Sequence, residues 1–148
     1  MFELKRVTEL LSVHELLEQF NSEFSPPLST RIQSFVSYAE KLVKYAFVFV
    51  VFLADNPEAV GFCAVYANDQ GTKKAYIAQL GVKQEFQGLG IGKLLINEAV
   101  RTAHNQGMKE LGLEVRKDND KAIQFYKHFQ FNVYSDIDEQ NYYMRRTL

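Results

Sequence analysis

The sequence predicts an α/β domain with a mixed central sheet of about seven strands and about four helices. Three observations predict it. Short apolar, β-branched or alternating stretches recur along the chain, and apolar residues recur at helical spacing between them. The two kinds of segment interleave, in the order β-α-α-β-β-β-α-β-α-β-β. The length, 148 residues, suits one domain spanning 1–148.

Phe2 to Val7 reads as the first strand. Thr8 is the expected N-cap of a helix to about Phe20, with Leu10, Val13, Leu17 and Phe20 on one face. Ser25-Pro26-Pro27 stops it. Ser29 or Thr30 is expected to cap a second helix, whose apolar positions are Ile32, Phe35, Val36, Ala39, Leu42 and Val43. Tyr45 to Ala54 is β-branched and aromatic, as in a strand buried on both faces. Asp55 to Glu58 is a turn, Ala59 to Ala67 a strand, Asn68 to Gly71 a turn and Ala75 to Val82 a strand. Such short connections make an antiparallel meander. The next helix runs to about Gln106, with Ile91, Leu94, Leu95, Ala99 and Ala103 as its buried stripe and Gly107 at its end. Leu111 to Val115 is a short strand. Asp118 or Asn119 opens a helix with Ala122, Phe125, Tyr126 and Phe129 on one face. Phe131 to Ser135 and Tyr142 to Arg146 are the last strands, joined by a turn over Asp136 to Gln140.

Composition narrows the function. Apolar residues make up 47% and aromatics 14%, enough for a sizeable core. A net charge of −1 leaves no electrostatic footprint for nucleic acid. Cys63 is the sole cysteine and reads as a core residue; no intrachain disulfide or thiolate cluster can form. His14, His104 and His128 fall on different predicted helices, so no metal is expected. Lys73-Lys74 and Arg145-Arg146 read as solvated ends. The N-terminus lacks a signal-peptide pattern. The longest apolar run, Ala46 to Ala54, is far short of the ~20 residues that span a bilayer. A soluble cytoplasmic protein with no membrane partner is expected, and a homodimer is compatible with the sequence.

The chemistry concentrates in Gln87-Gly88-Leu89-Gly90-Ile91-Gly92-Lys93, between a strand and a helix. A glycine-rich turn there exposes the unpaired N–H groups of the helix start, an anion site reinforced by the helix dipole. Lys93 places a cation in the first turn, which the helix alone disfavours. A Walker loop fails, because Gln87 stands where its first glycine belongs and Leu94 follows the lysine. A dinucleotide fingerprint fails, because its third glycine would fall at Lys93. What remains is Q-x-x-G-x-G at Gln87, Gly90 and Gly92. A second motif follows: Leu113-Glu114-Val115-Arg116, Asn119, Ala122, Phe125-Tyr126 and Phe129-Gln130-Phe131. In order and on matching elements, the two resemble the motifs of the GNAT superfamily of acyl-CoA-dependent N-acyltransferases. The resemblance is clear from about Phe47 to Leu148. Two departures stand out: Gln84 where many members have proline, and Gln130 where glycine is usual.

The resemblance implies a single-domain GNAT-like fold that uses acetyl-CoA as co-substrate, in a groove where one strand splays from the next. Leu80 and Val82 would present backbone groups to the pantetheine arm, one polarising the thioester carbonyl. Gln87, Gly88, Leu89, Gly90, Ile91, Gly92 and Lys93 would cradle the pyrophosphate. Asn119 would meet the pantetheine side while capping its helix. Tyr126 would protonate the departing thiolate and Glu114 would take the amine's proton. Their spacing of 12 resembles that of ribosomal-protein N-terminal acetyltransferases. Partial burial would raise the Glu114 pKa toward that of a useful base. Gln79 and Glu85 are weaker candidates. The function implied is direct transfer of acetyl to a primary amine of a small molecule. A protein N-terminal acetyltransferase is the alternative, against which the long aromatic segment Ile32–Tyr45 speaks. A non-catalytic CoA-binding module is the alternative of another class, against which Tyr126 speaks.

Overall fold

The computed structural model describes residues 1–24 and 26–148. Ser25, expected to help stop the first helix, lies outside the described residues. In chain order the elements are β1 (Phe2–Val7), α1 (Leu10–Phe20), α2 (Phe35–Tyr45), β2 (Phe47–Leu53), β3 (Asn56–Tyr66), β4 (Lys74–Val82), α3 (Ile91–Asn105), β5 (Glu110–Arg116), α4 (Asp120–His128), β6 (Asn132–Asp136) and β7 (Asn141–Thr147). The element order is the one the sequence predicts. The strands form one sheet, ordered β1-β2-β3-β4-β5-β7-β6. β4 and β5 pair parallel and the other neighbours pair antiparallel. Among the described residues no helix is long and apolar enough to cross a membrane.

The sheet is covered on both faces. β2 shows why: Val48 and Val50 enter the core under α1 and α2, while Phe49 and Val51 enter the core under α3 and α4. Its run of apolar residues therefore has two faces to fill, as predicted. Phe20 of α1 anchors the first core, fully buried with its ring 5.0 Å from that of Phe62. Truncating such a side chain costs about 3–5 kcal/mol. Cys63 is fully buried in the second core, as its reading required.

Several boundaries and faces differ from the sequence reading. α1 begins after Glu9 without a side-chain cap, so Thr8 is not its cap. Leu28–Thr30 form a 3-10 turn, and the cap of α2 is Ser34, whose Oγ accepts from Ser37 N at 3.2 Å. Serine and threonine satisfy such short turns as readily as helix starts, so spacing alone does not locate the cap. Leu10, Val36 and Leu94 are exposed. β3 starts at Asn56, earlier than predicted, because the turn after β2 is tighter than Asp55–Glu58.

The two departures from the family pattern have local causes. Gln84 N donates to Glu23 Oε1 at 3.0 Å, tying the segment after α1 to the loop after β4. A proline there has no N–H to give. Gln130 follows α4 with φ +72°, the left-handed conformation that glycine adopts without strain.

Candidate active site

β4 and β5 separate part-way along their length. Their pairing runs from Lys74↔Glu110 to Ile77↔Leu113. β4 continues to Val82 and β5 to Arg116 without pairing to each other. The cause is visible in β4. Ala64 of β3 pairs with Gln79 and Val65 with Ile77, leaving Ala78 as the extra residue of a bulge. A bulge bends the strand and increases its twist. It also resets which face each side chain meets. Gln79 turns to the α2 face, where its Nε2 donates to Tyr38 Oη at 3.0 Å. Leu80 and Val82 pack instead on the core under α3 and α4. Past the bulge, one backbone edge of β4 faces an opening rather than a strand.

The glycine-rich turn closes one end of this opening. Gly88 and Gly90 have φ of +81° and +88°, with open space where a Cβ would stand. Gly90 is the N-cap of α3 and supplies no side-chain cap. The first N–H groups of α3 are thus left to an outside acceptor. Gly92 serves packing: a Cβ there would lie 3.0 Å from Phe125 Cζ of α4. Leu89 and Lys93 are exposed, while Ile91 is buried and pins the helix start. Gln87 bridges the two walls. Its Nε2 donates to Val82 O at 3.2 Å and its Oε1 accepts from Lys121 Nζ at 3.0 Å. Asn119 caps α4, its Oδ1 accepting from Ala122 N at 3.1 Å.

Tyr126 and Glu114 lie on opposite faces of the sheet. Tyr126 packs edge-on to Phe125 and Phe131 on the α3/α4 side. Burial, reinforced by Cys63, holds its phenol above the ordinary tyrosine range. Its hydroxyl has no hydrogen-bond partner among the described residues. Glu114 alternates with the buried Leu113 and Val115 and therefore faces the α1/α2 side. It is exposed, so the expected partial burial is not found. Glu85 is exposed on the loop after β4.

The residue missed in the sequence is Tyr76. Its hydroxyl donates to Glu114 Oε2 at 3.4 Å. Burial first, then the Glu114 carboxylate, raise the Tyr76 phenol to about 12. Tyr76 pairs with Gly112, two residues before Glu114. That parallel register joins segments far apart in sequence, and no local pattern encodes it.

Residues 10–131 match the profile of the Acetyltransferase (GNAT) family. The chain belongs to this family. GNAT enzymes are acetyl-CoA-dependent N-acetyltransferases, and so is this chain. It is 25% identical over 135 residues to N-alpha-acetyltransferase 30 of Schizosaccharomyces pombe, covering 90% of this chain and 85% of that one. It is 33% identical over 92 residues to N-alpha-acetyltransferase 50 of Danio rerio, covering 61% of this chain and 54% of that one. The fold matches that of PaiA N-acetyltransferase from Thermoplasma acidophilum, solved in complex with coenzyme A. The TM-score is 0.78 at 20% identity, covering 100% of this chain and 99% of that one.

Proposed function

We propose that this GNAT enzyme acetylates the α-amine of a peptide or protein, which approaches from the α1/α2 face. The observation that carries this is the Tyr76–Glu114 contact, at the mouth of the splay and open to solvent. An exposed carboxylate admits an amine attached to a longer chain. The relatives named as N-alpha-acetyltransferases support the same class. The segment Ile32–Tyr45 is no obstacle, since most of it is the ordinary helix α2.

Bound acetyl-CoA supplies the activated acetyl thioester. The opening fits an extended amide arm ending in a pyrophosphate. The free edge of β4 at Leu80 and Val82 meets the arm, with Asn119 opposite. The turn from Gln87 to Lys93 receives the phosphates, with Gly88 and Gly90 opening its backbone, Leu89 and Ile91 shaping it, and Gly92 admitting α4. Glu114 takes a proton from the ammonium, directly or through a water, while Tyr76 steadies the carboxylate. The amine nitrogen then bonds to the acetyl carbon as the carbon–sulfur bond breaks, and the nitrogen releases its second proton to water. Tyr126 gives its proton to the departing sulfur. Burial penalises the phenolate, and it penalises a thiolate in the same apolar surroundings, so their proton affinities stay comparable. Solvent restores both groups.

A small-molecule amine is the second reading, favoured by the Tyr38–Gln79 bond, which ties α2 to β4 just past the bulge. Acetyl-CoA with octapeptides differing in their first residue, against a set of polyamines and aromatic amines, separates the two by release of free thiol. Peptides should be the faster class. Turnover confined to small amines would overturn the peptide reading.

A further inference from the structure

Beside Glu114, on the same face, the ring of Tyr143 occupies the space of a missing side chain. Tyr143 and Glu114 are register partners on β7 and β5, and Arg145 and Gly112 are the next partners on that face. The Tyr143 ring runs from the level of Glu114 across Gly112, and its hydroxyl donates to Glu110 Oε2 at 2.8 Å. A Cβ at Gly112 would overlap Tyr143 Oη and Cζ outright. Arg145 completes the clamp. Its Nη1 bonds Glu110 Oε1 at 2.8 Å, and its guanidinium stacks 3.6 Å above the Tyr134 ring. The Glu110 side chain is only 13% exposed, so this charge is held between two fixed partners. On the other flank of Gly112, Tyr76 runs the opposite way, up to Glu114. The two rings pass each other across the glycine, and Tyr143 is thereby turned away from Glu114.

We propose that Gly112 and Glu110 are positioning residues that seat Tyr143 along the strand and so keep the acceptor slot beside Glu114 open. The inference rests on the α1/α2 approach of the acceptor given above. A side chain at 112 would lift the ring off the strand and swing it toward Glu114, where it competes with the incoming amine's chain. The seat also explains why burial, then the Glu110 carboxylate, hold the Tyr143 phenol above the ordinary tyrosine range. Arg145 opposes that shift and Tyr76 adds to it.

Gly112→Ala tests the seat, read with the octapeptides and with methylamine as acceptors. The KM for peptide should rise by about tenfold or more, because small displacements at a reacting centre are costly. The KM for acetyl-CoA should change little, and methylamine turnover should fall far less than peptide turnover, since methylamine carries no chain into the slot. In a Tyr143→Ala background the same substitution should have no further effect, a non-additivity that general destabilisation would not produce. Carbon-labelled tyrosine NMR, with Tyr143 assigned by Tyr143→Phe, reads the seat without any acceptor. The Tyr143 phenol should titrate at higher pH in the wild type than in Gly112→Ala, where it should fall toward about 10. An unchanged titration overturns the seat. A shifted titration with unchanged peptide KM overturns its role in the slot. A wild type that acetylates methylamine but no peptide overturns the acceptor reading, and the slot with it.

Discussion

Ile77 and Leu113 form the last rung of the parallel pairing in the sheet, and the opening between β4 and β5 begins immediately beyond them. One bulged residue, Ala78, separates that rung from the free edge of β4. The same bulge sends Gln79 to one face and Leu80 to the other. The opening therefore connects the α3/α4 side, where Tyr126 lies, with the α1/α2 side, where Glu114 lies.

Gly90→Val should weaken CoA binding by more than about tenfold. The residue sits at φ +88° at the start of α3, where a β-branched side chain is strained and would crowd an anion. Gly92→Val should act differently, lowering the melting temperature through Phe125. Calorimetry with CoA beside thermal melts distinguishes them; equal CoA affinity in Gly90→Val and wild type would remove the turn from the phosphate site.

Tyr126→Phe keeps the ring packing against Phe125 and Phe131 and removes the proton. Turnover should fall by roughly 10²-fold, the lower range for general-acid catalysis, with CoA affinity nearly unchanged. Near-normal turnover with a fast acceptor would leave Tyr126 as packing alone.

Glu114→Gln retains hydrogen bonding with Tyr76 but cannot take a proton. Its activity should drop strongly at neutral pH and recover in part at high pH, where the acceptor amine deprotonates unaided. Tyr76→Phe should give a smaller loss with the same pH dependence, because it steadies the carboxylate rather than receiving the proton. Rate–pH profiles with one peptide check both. A loss in Glu114→Gln that is equal at every pH would indicate positioning instead.

Tyr66→Phe should stabilise the fold or leave it unchanged, by up to about 1 kcal/mol. Tyr66 Oη is buried without a hydrogen-bond partner among the described residues, so the hydroxyl costs desolvation with no return. Burial, then Tyr38, raise its phenol to about 12 in the folded chain. The unfolded value is about 10. The folded form thus retains this proton longer, and the associated stability is complete below about pH 10 and is lost as pH rises toward 12. Melting curves at neutral and alkaline pH should show a shallower alkaline loss for Tyr66→Phe; an identical slope would refute the assignment.

Element order and chemistry class were legible in the sequence alone. Periodicity is local, so β2 declared its two buried faces and α3 its stripe, and a motif such as Gln87–Gly92 carries its backbone requirement in its glycines. The family resemblance added site candidates that local pattern could not supply. What the tertiary structure decided depends on contacts between distant segments. The helix start at Ser34 was fixed by where α2 packs. The exposure of Glu114 depends on what other segments pack over that face of β5, which alternation within the strand does not encode. Gly92 proved to admit Phe125, a residue of another helix. The Tyr76–Glu114 contact and the seat of Tyr143 on Gly112 both arise from strand register. A register is set by the whole sheet and its bulges, and a shift of one residue would exchange the two faces.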